Sequence, residues 1–200
     1  MGATLKAHAR THEGTDAVAV VGLSCRLPGA PDPGAFWRLL REGREAVAPP
    51  PAHRGLDGLP RAGLIEDVGG FDADFFGMSA REAAAADPQQ RLMLELGWEA
   101  LEDAGIVPDS LRGVAVGVFV GGMADDYAAL LHRAGAPVGA HTMAGTQRSM
   151  LANRLSYLVG ARGPSLVVDS GQSSSLVAVA MAVQSVRSGA TPVASRAGSA

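Results

Sequence analysis

The sequence predicts an α/β domain built on a mainly parallel central sheet flanked by helices. Short, wholly apolar runs of strand length recur along the chain. They alternate with longer segments of helical period, and glycines and prolines punctuate the boundaries. The runs are AVAVVGL (residues 17–23), VAVGVFV (114–120) and SLVVD (165–169). A strand without polar alternation is suited to burial on both faces, as in a parallel sheet covered by helices.

Residues 1–15 are polar and patternless and are expected to form a disordered leader, followed by a domain over residues 16–189. Phe36, Trp37, Leu39 and Leu40 mark a short helix ending before Gly43, and the Pro-, Gly- and Ala-rich residues 48–63 read as a surface loop. DPQQRLMLELGWEALEDAGI is the clearest helix. Asp87 is its expected N-cap, Pro88 opens the first turn and Gly105 ends it, with Leu94, Trp98 and Leu101 on one face. Helices are expected around residues 124–133 and 146–158. A third should start near residue 173, and because Leu176 to Val183 is apolar on almost every side, it is expected to be buried. After Gly189, ATPVASRAGSA has neither an apolar run nor a helical period, so residues 190–200 read as an aberrant or truncated tail where a βαβ unit requires a returning strand.

The chain has 200 residues, 47% of them hydrophobic, with 17 basic and 20 acidic side chains and a net charge of −3. No Lys/Arg cluster is present, which argues against nucleic acid or an anionic membrane as partner. The single cysteine, Cys25, excludes an internal disulfide and a cysteine-based metal site; following a buried strand, it reads as a packing residue. The start, MGATLKAHARTHEGTD, has no apolar signal-peptide core, no run approaches the length of a membrane span, and a cytoplasmic location is expected.

Other motifs resolve to plain structure. Ser173, Ser174 and Ser175 lack a G-x-S-x-G elbow, and FVGGM is too short for a phosphate loop and lacks its lysine. The pairs Asp72/Asp74 and Asp125/Asp126 read as turn and helix-cap residues, and His8, His12, His53, His132 and His141 as surface residues. The stretch VVDSGQSSSLVAVA (residues 167–180) is the exception. It reads as strand, sharp turn and helix, and it sets the carboxamide of Gln172 where an enzyme commonly sets a nucleophile.

Several stretches in order resemble the ketosynthase domains of modular type I polyketide synthases. They are AVVGLSCRLPGAPDPGAFWRLLREGREAV, FDADFFGMSAREAAAADPQQRLMLELGWEALEDAGI, GVFVGG, NRLSYLVGARGPSLVVD and SSSLVAV, covering roughly residues 17–189. The resemblance implies a thiolase-like fold, of which this chain holds the first half, and a homodimer. Its partners would be an acyl carrier protein and the other synthase domains. No bound cofactor is implied, the substrate being carried on the phosphopantetheine arm of the carrier protein.

The family's nucleophilic cysteine lies in D-T-A-C-S-S-S. Here Asp169, Ser170, Gly171, Gln172, Ser173, Ser174 and Ser175 stand in that order, so Gln172 takes the cysteine's place and Ser170-Gly171 replaces Thr-Ala. In the family this exchange marks loading-module domains that do not condense acyl chains. They decarboxylate malonyl or methylmalonyl groups on the carrier protein to make the starter unit, and the start of the domain about fifteen residues after Met1 fits a first module. The family's two histidines belong to HGTGT-like and N-x-G-H-like motifs of the second half, which this chain does not contain. The alternative expectation is therefore a truncated, inactive fragment or a non-enzymatic dimerisation partner.

Overall fold

The computed structural model describes residues 17–56 and 58–198. The leader expected over residues 1–15 lies outside them. At the centre is a three-stranded parallel sheet in the order β2-β1-β3, with β1 at Gly117–Gly121, β2 at Ser165–Val168 and β3 at Ala194–Gly198. The middle strand is buried along its whole length.

Alternation along β1 sorts its side chains into two cores. Val118 and Val120 pack with Met93, Leu151 and Leu155 of α3 (Pro88–Asp103) and α6 (Met150–Leu158). Phe119 points to the other side, against Ala178 and Ala182 of α7 (Ser174–Arg187). The result is a three-layer αβα arrangement in which α7 carries the chain from β2 across β1 to β3.

The remaining helices are α1 (Pro33–Arg41), α2 (Ala80–Ala85), α4 (Asp126–Arg133) and α5 (Thr142–Thr146). The caps of α3 are those the sequence specifies. Asp87 accepts the Gln89 N–H at 2.8 Å, Pro88 is the first helical residue, and Gly105 takes φ +65° beyond the C-terminus. Trp98 leaves the sheet-facing core to meet Phe75 edge-on, 4.9 Å between ring centroids. The expected loop at residues 48–63 holds only a 3₁₀ turn at Ala52–Arg54 and an isolated Ala48–Ala62 bridge.

Four expectations are corrected. Residues 17–23 do not form a strand. Val20, Val21 and Leu23 are more than half exposed, and this extended segment docks on α3 instead of joining a sheet. Leu23 N–H donates to Asp103, Ser24 Oγ donates to the Leu96 carbonyl, and Arg26 pairs with Glu99. A run apolar on both sides needs strands beside it, and the described residues offer none.

The helix expected around residues 146–158 is α6, but it begins only at Met150, and residues 147–149 separate it from the short α5 before it. The buried amide of Gln90 explains the break: its Nε2 donates to the carbonyls of Ala144, Gly145 and Gln147, drawing away acceptors that a continuous helix would use.

Residues after Gly189, expected to lack a returning strand, supply β3, which pairs in parallel with β1 from Gly117–Ala194 to Gly121–Gly198. Its sequence, Ala-Ser-Arg-Ala-Gly, has no large apolar residue, and an edge strand can be stabilised by its ladder without one. Finally, α7 is buried on one face only. Ser174, Ala178, Ala182 and Ser185 face the sheet, while Leu176 is 72% exposed. Leu176 and Ala180 border a shallow apolar groove of about 630 Å³ that runs over Phe119, Leu166 and Met181.

Asp87 generates a stability prediction. Burial pushes its carboxyl up from the usual range, Asp126 adds to this, and the Gln89 N–H opposes it. An acid whose folded pKa is raised binds its proton more tightly in the folded state, so the charged form costs stability once pH rises past the folded value. Asp87→Asn keeps the cap without the charge and should be as stable as the parent or slightly more stable at pH 7. Its advantage should shrink as pH falls through about 4, whereas Asp87→Ala should lose about 1 kcal/mol. Urea unfolding at both pH values checks all three.

Candidate functional site

The site lies at the C-terminal edge of the parallel sheet, where open α/β sheets place their ligand crevices. Here β1 ends at Gly121 and runs into Gly122 and Met123, and β2 ends at Val168 and runs into the Asp169–Ser173 turn before α7. Gln172 sits in this turn with an exposed side chain, two residues before the first residue of α7. This is the strand–turn–helix setting that VVDSGQSSSLVAVA predicts.

The turn is tied internally. Gly171 has φ +66°, a left-handed conformation that favours glycine. Its N–H donates to Asp169 Oδ1 at 3.1 Å. The Ser170 N–H donates to Ser174 Oγ at 2.9 Å, Ser173 Oγ donates to the Ser170 carbonyl at 3.0 Å, and the Ser174 N–H donates to the Gly171 carbonyl at 3.0 Å. The serines thus fasten the turn to itself; Ser173 occupies the N-cap position without a side-chain cap bond.

Outside the turn, Arg148 donates from Nη1 to Asp169 Oδ2, from Nε to Asp125 Oδ1 at 3.1 Å, and from Nη2 to Asp125 Oδ2. The hydrogen bond and charge of Arg148 hold the Asp125 carboxyl below its ordinary value. Asp125, expected as a helix cap, stands at the N-cap of α4 but makes no cap bond with its side chain. Arg148 was not singled out by the sequence, where a lone arginine in a polar stretch carries no signal. Asp72 does behave as a turn residue, accepting the Phe75 N–H at 3.0 Å.

Among the described residues no histidine hydrogen-bonds to the turn. His53 and His132 are exposed, His141 opens α5, and His8 and His12 lie outside the described residues. Cys25 is half-buried, and burial, reinforced by Asp32, pushes its thiol up, which keeps it protonated and unreactive. No group of three or more His, Cys, Asp or Glu residues suited to a metal occurs among the described residues. Nor is any helix among them long and apolar enough to cross a membrane.

The model of the beta-ketoacyl synthase N-terminal domain matches residues 15–199. The chain belongs to this family. Polyketide synthase GfsA of Streptomyces halstedii is 52% identical over 191 residues, covering 88% of this chain and 3% of that protein. Among solved structures, the oxazolomycin ketosynthase domain OzmH KS7 of Streptomyces albus JA3453 superposes with a TM-score of 0.79 at 35% identity, over 88% of this chain and 33% of that one. The ketosynthase from module 6 of the bacillaene synthase of Bacillus subtilis 168 gives 0.76 at 32% identity, over 86% and 29%. The chain is thus a ketosynthase N-terminal domain of polyketide-synthase type with the thiolase-like fold, and it spans about a third or less of the solved ketosynthases it matches.

The close approach of α7 to β1 is what sets the turn at the sheet edge. A Cβ on Gly121 would lie 2.5 Å from the Ser175 nitrogen and 2.6 Å from the Ser174 carbonyl carbon, both backbone atoms that cannot swing aside. Gly121→Ala should therefore displace the first turn of α7 and destabilise the fold by about 1–3 kcal/mol, measured by urea unfolding.

Proposed function

We propose that this chain is the N-terminal part of a ketosynthase-like domain that decarboxylates malonyl or methylmalonyl groups on an acyl carrier protein, supplying a starter unit without condensing acyl chains. The observation that carries this reading is Gln172 at the turn between β2 and α7, where the family's cysteine stands.

Condensation needs a thiolate to hold the growing chain as a thioester. The N-terminus of a helix favours such an anion through its unpaired N–H groups and dipole. A carboxamide nitrogen is delocalised into its carbonyl and cannot take that role, so acyl transfer is lost.

Decarboxylation has other needs. The bond between the carboxylate carbon and Cα breaks, its electron pair moves into the thioester carbonyl to form an enolate, carbon dioxide leaves, and Cα then takes a proton. No step requires a covalent bond to the protein. What lowers the barrier is hydrogen-bond donation to the developing enolate oxygen. The Gln172 NH₂ is one neutral donor at the right edge of the sheet, and the family's two histidines, in the remainder of the domain, are the others. The phosphopantetheine arm of the carrier protein would bring the substrate to this edge.

The exposed groove between β2 and α7 favours a second reading, in which the chain serves as a non-enzymatic dimerisation partner of other synthase domains. In the first reading the rest of the thiolase-like fold and a second copy cover that same face.

Mass spectrometry separates the two. With the full polypeptide, malonyl on the carrier arm should become acetyl, and no acyl group should appear on residues 170–175. Gln172→Ala should slow the conversion about a hundredfold, the scale of losing one preorganised donor. Gln172→Cys should gain the covalent acyl adduct. Malonyl that persists in the presence of folded protein refutes the decarboxylase, and an acyl adduct on the parent turn refutes the role given to Gln172.

A further inference from the structure

We propose that Arg148 is the positioning residue that fixes the Gln172 turn for decarboxylation, and that Gln90 sets Arg148 in place. The proposal rests on the reading of Gln172 given above, and it deepens that reading by naming what holds the donor still.

The connection runs through single carboxylates. Asp169 divides its two oxygens: Oδ1 accepts the Gly171 N–H at 3.1 Å and Oδ2 accepts from Arg148 Nη1. Any movement of Arg148 is therefore passed to the Ser170–Gly171 peptide, one residue before Gln172. Arg148 in turn is fixed by a two-point bond to Asp125 at the start of α4, Nε to Oδ1 and Nη2 to Oδ2. Such a planar fork, unlike an ammonium, meets a carboxylate at two points and still has a third donor for another.

Behind Arg148 stands a buried anchor. Gln90 is 1% exposed, and its Nε2 donates at 3.0–3.2 Å to the carbonyls of Ala144, Gly145 and Gln147, which pins the chain up to the residue before Arg148. Gln90 Oε1 accepts from Arg154 Nε at 2.8 Å, and Arg154 Nη1 reaches Glu82 at 2.7 Å. The amide of Gln90 is thus oriented from both ends. The order of dependence is Arg154, Gln90, the 144–147 backbone, Arg148, Asp169, Gly171, Gln172.

Of these groups only the Gln172 amide is given a contact with the substrate, and the others act through it. Their effect on rate comes from placing the Gln172 amide, and misplacement of about 1 Å costs roughly a hundredfold in rate. The test uses the full polypeptide and three variants, Arg148→Gln, Arg148→Lys and Asp125→Asn. Two readouts are followed: exchange protection of the Gly171 amide, and the kcat and KM for malonyl-carrier decarboxylation.

For Arg148→Gln, Gly171 protection should fall at least about tenfold, and kcat should fall about tenfold to a hundredfold with KM changed less than about twofold. Arg148→Lys can reach one carboxylate and should recover part of both, and Asp125→Asn should lie between Lys and the parent. Parent-like protection and kcat in Arg148→Gln overturns the proposal. So does a loss that simply follows the melting temperature with no recovery in the lysine variant. If the parent itself does not decarboxylate, the reading of Gln172 falls, while the drop in Gly171 protection still upholds the clamp and unchanged protection still overturns it.

Discussion

Everything at the sheet edge depends on β1 being narrow at its end. Gly121 has no side chain, so the backbone of Ser174 and Ser175 can lie against the strand, with no room even for a methyl group between them. That contact fixes how far α7 can advance over the sheet, and with it the height of the turn that carries Gln172. Farther along, Phe119 meets Ala178 and Ala182, small residues that keep the helix equally close. Valines on the opposite face of β1 engage α3 and α6. A single five-residue strand therefore serves two cores and a functional edge. Its complete burial follows from those three demands.

The polar contacts obey a different economy. An exposed ion pair contributes little to stability, and Arg148 and its two aspartates are partly exposed. Their value lies in geometry. Three donors of one rigid guanidinium reach two carboxylates on separate segments, and each carboxylate has a fixed backbone position. The lowered carboxyl of Asp125 means this link keeps its charge at pH values where an ordinary aspartate begins to take up protons. The part-buried Gln90–Arg154–Glu82 group, with Gln90 fully buried, supplies the stiffness that the exposed group lacks, because polar atoms out of water hold their partners at high cost of separation.

The parts of this arrangement written in local patterns were legible in the sequence. Asp87, Pro88 and Gly105 bound α3 as caps require, the VAVGVFV run overlaps β1 over residues 117–120, SLVVD contains β2, and the junction before α7 is where VVDSGQSSS places it. What failed depended on distant residues. AVAVVGL has the composition of a buried strand, but a strand exists only through its neighbours. Without them it lies along α3. The division of α5 from α6 is imposed by Gln90, more than fifty residues upstream, which no local period reveals. β3 was missed because its ladder stabilises a segment of small and charged residues that makes no apolar run. Arg148 was missed because one arginine in a polar stretch has no pattern at all.

A glutamine at this junction makes rigidity more important than a cysteine would. A thiolate that has been acylated holds its substrate by a covalent bond, which tolerates some motion of the turn around it. A carboxamide can act only by donating a hydrogen bond, and such bonds weaken steeply as angle and distance drift. The donor must already stand where the enolate oxygen will appear, since a group that reorganises during the reaction gives back what it contributes. In the proposed decarboxylation, the burden thus passes from sulfur chemistry to the backbone of residues 169–173. The left-handed Gly171, the serine bonds within the turn and the carboxylate shared with Arg148 all limit the motion of that backbone. On that reading, the carboxamide of Gln172 and the stiffness of the loop that presents it belong together.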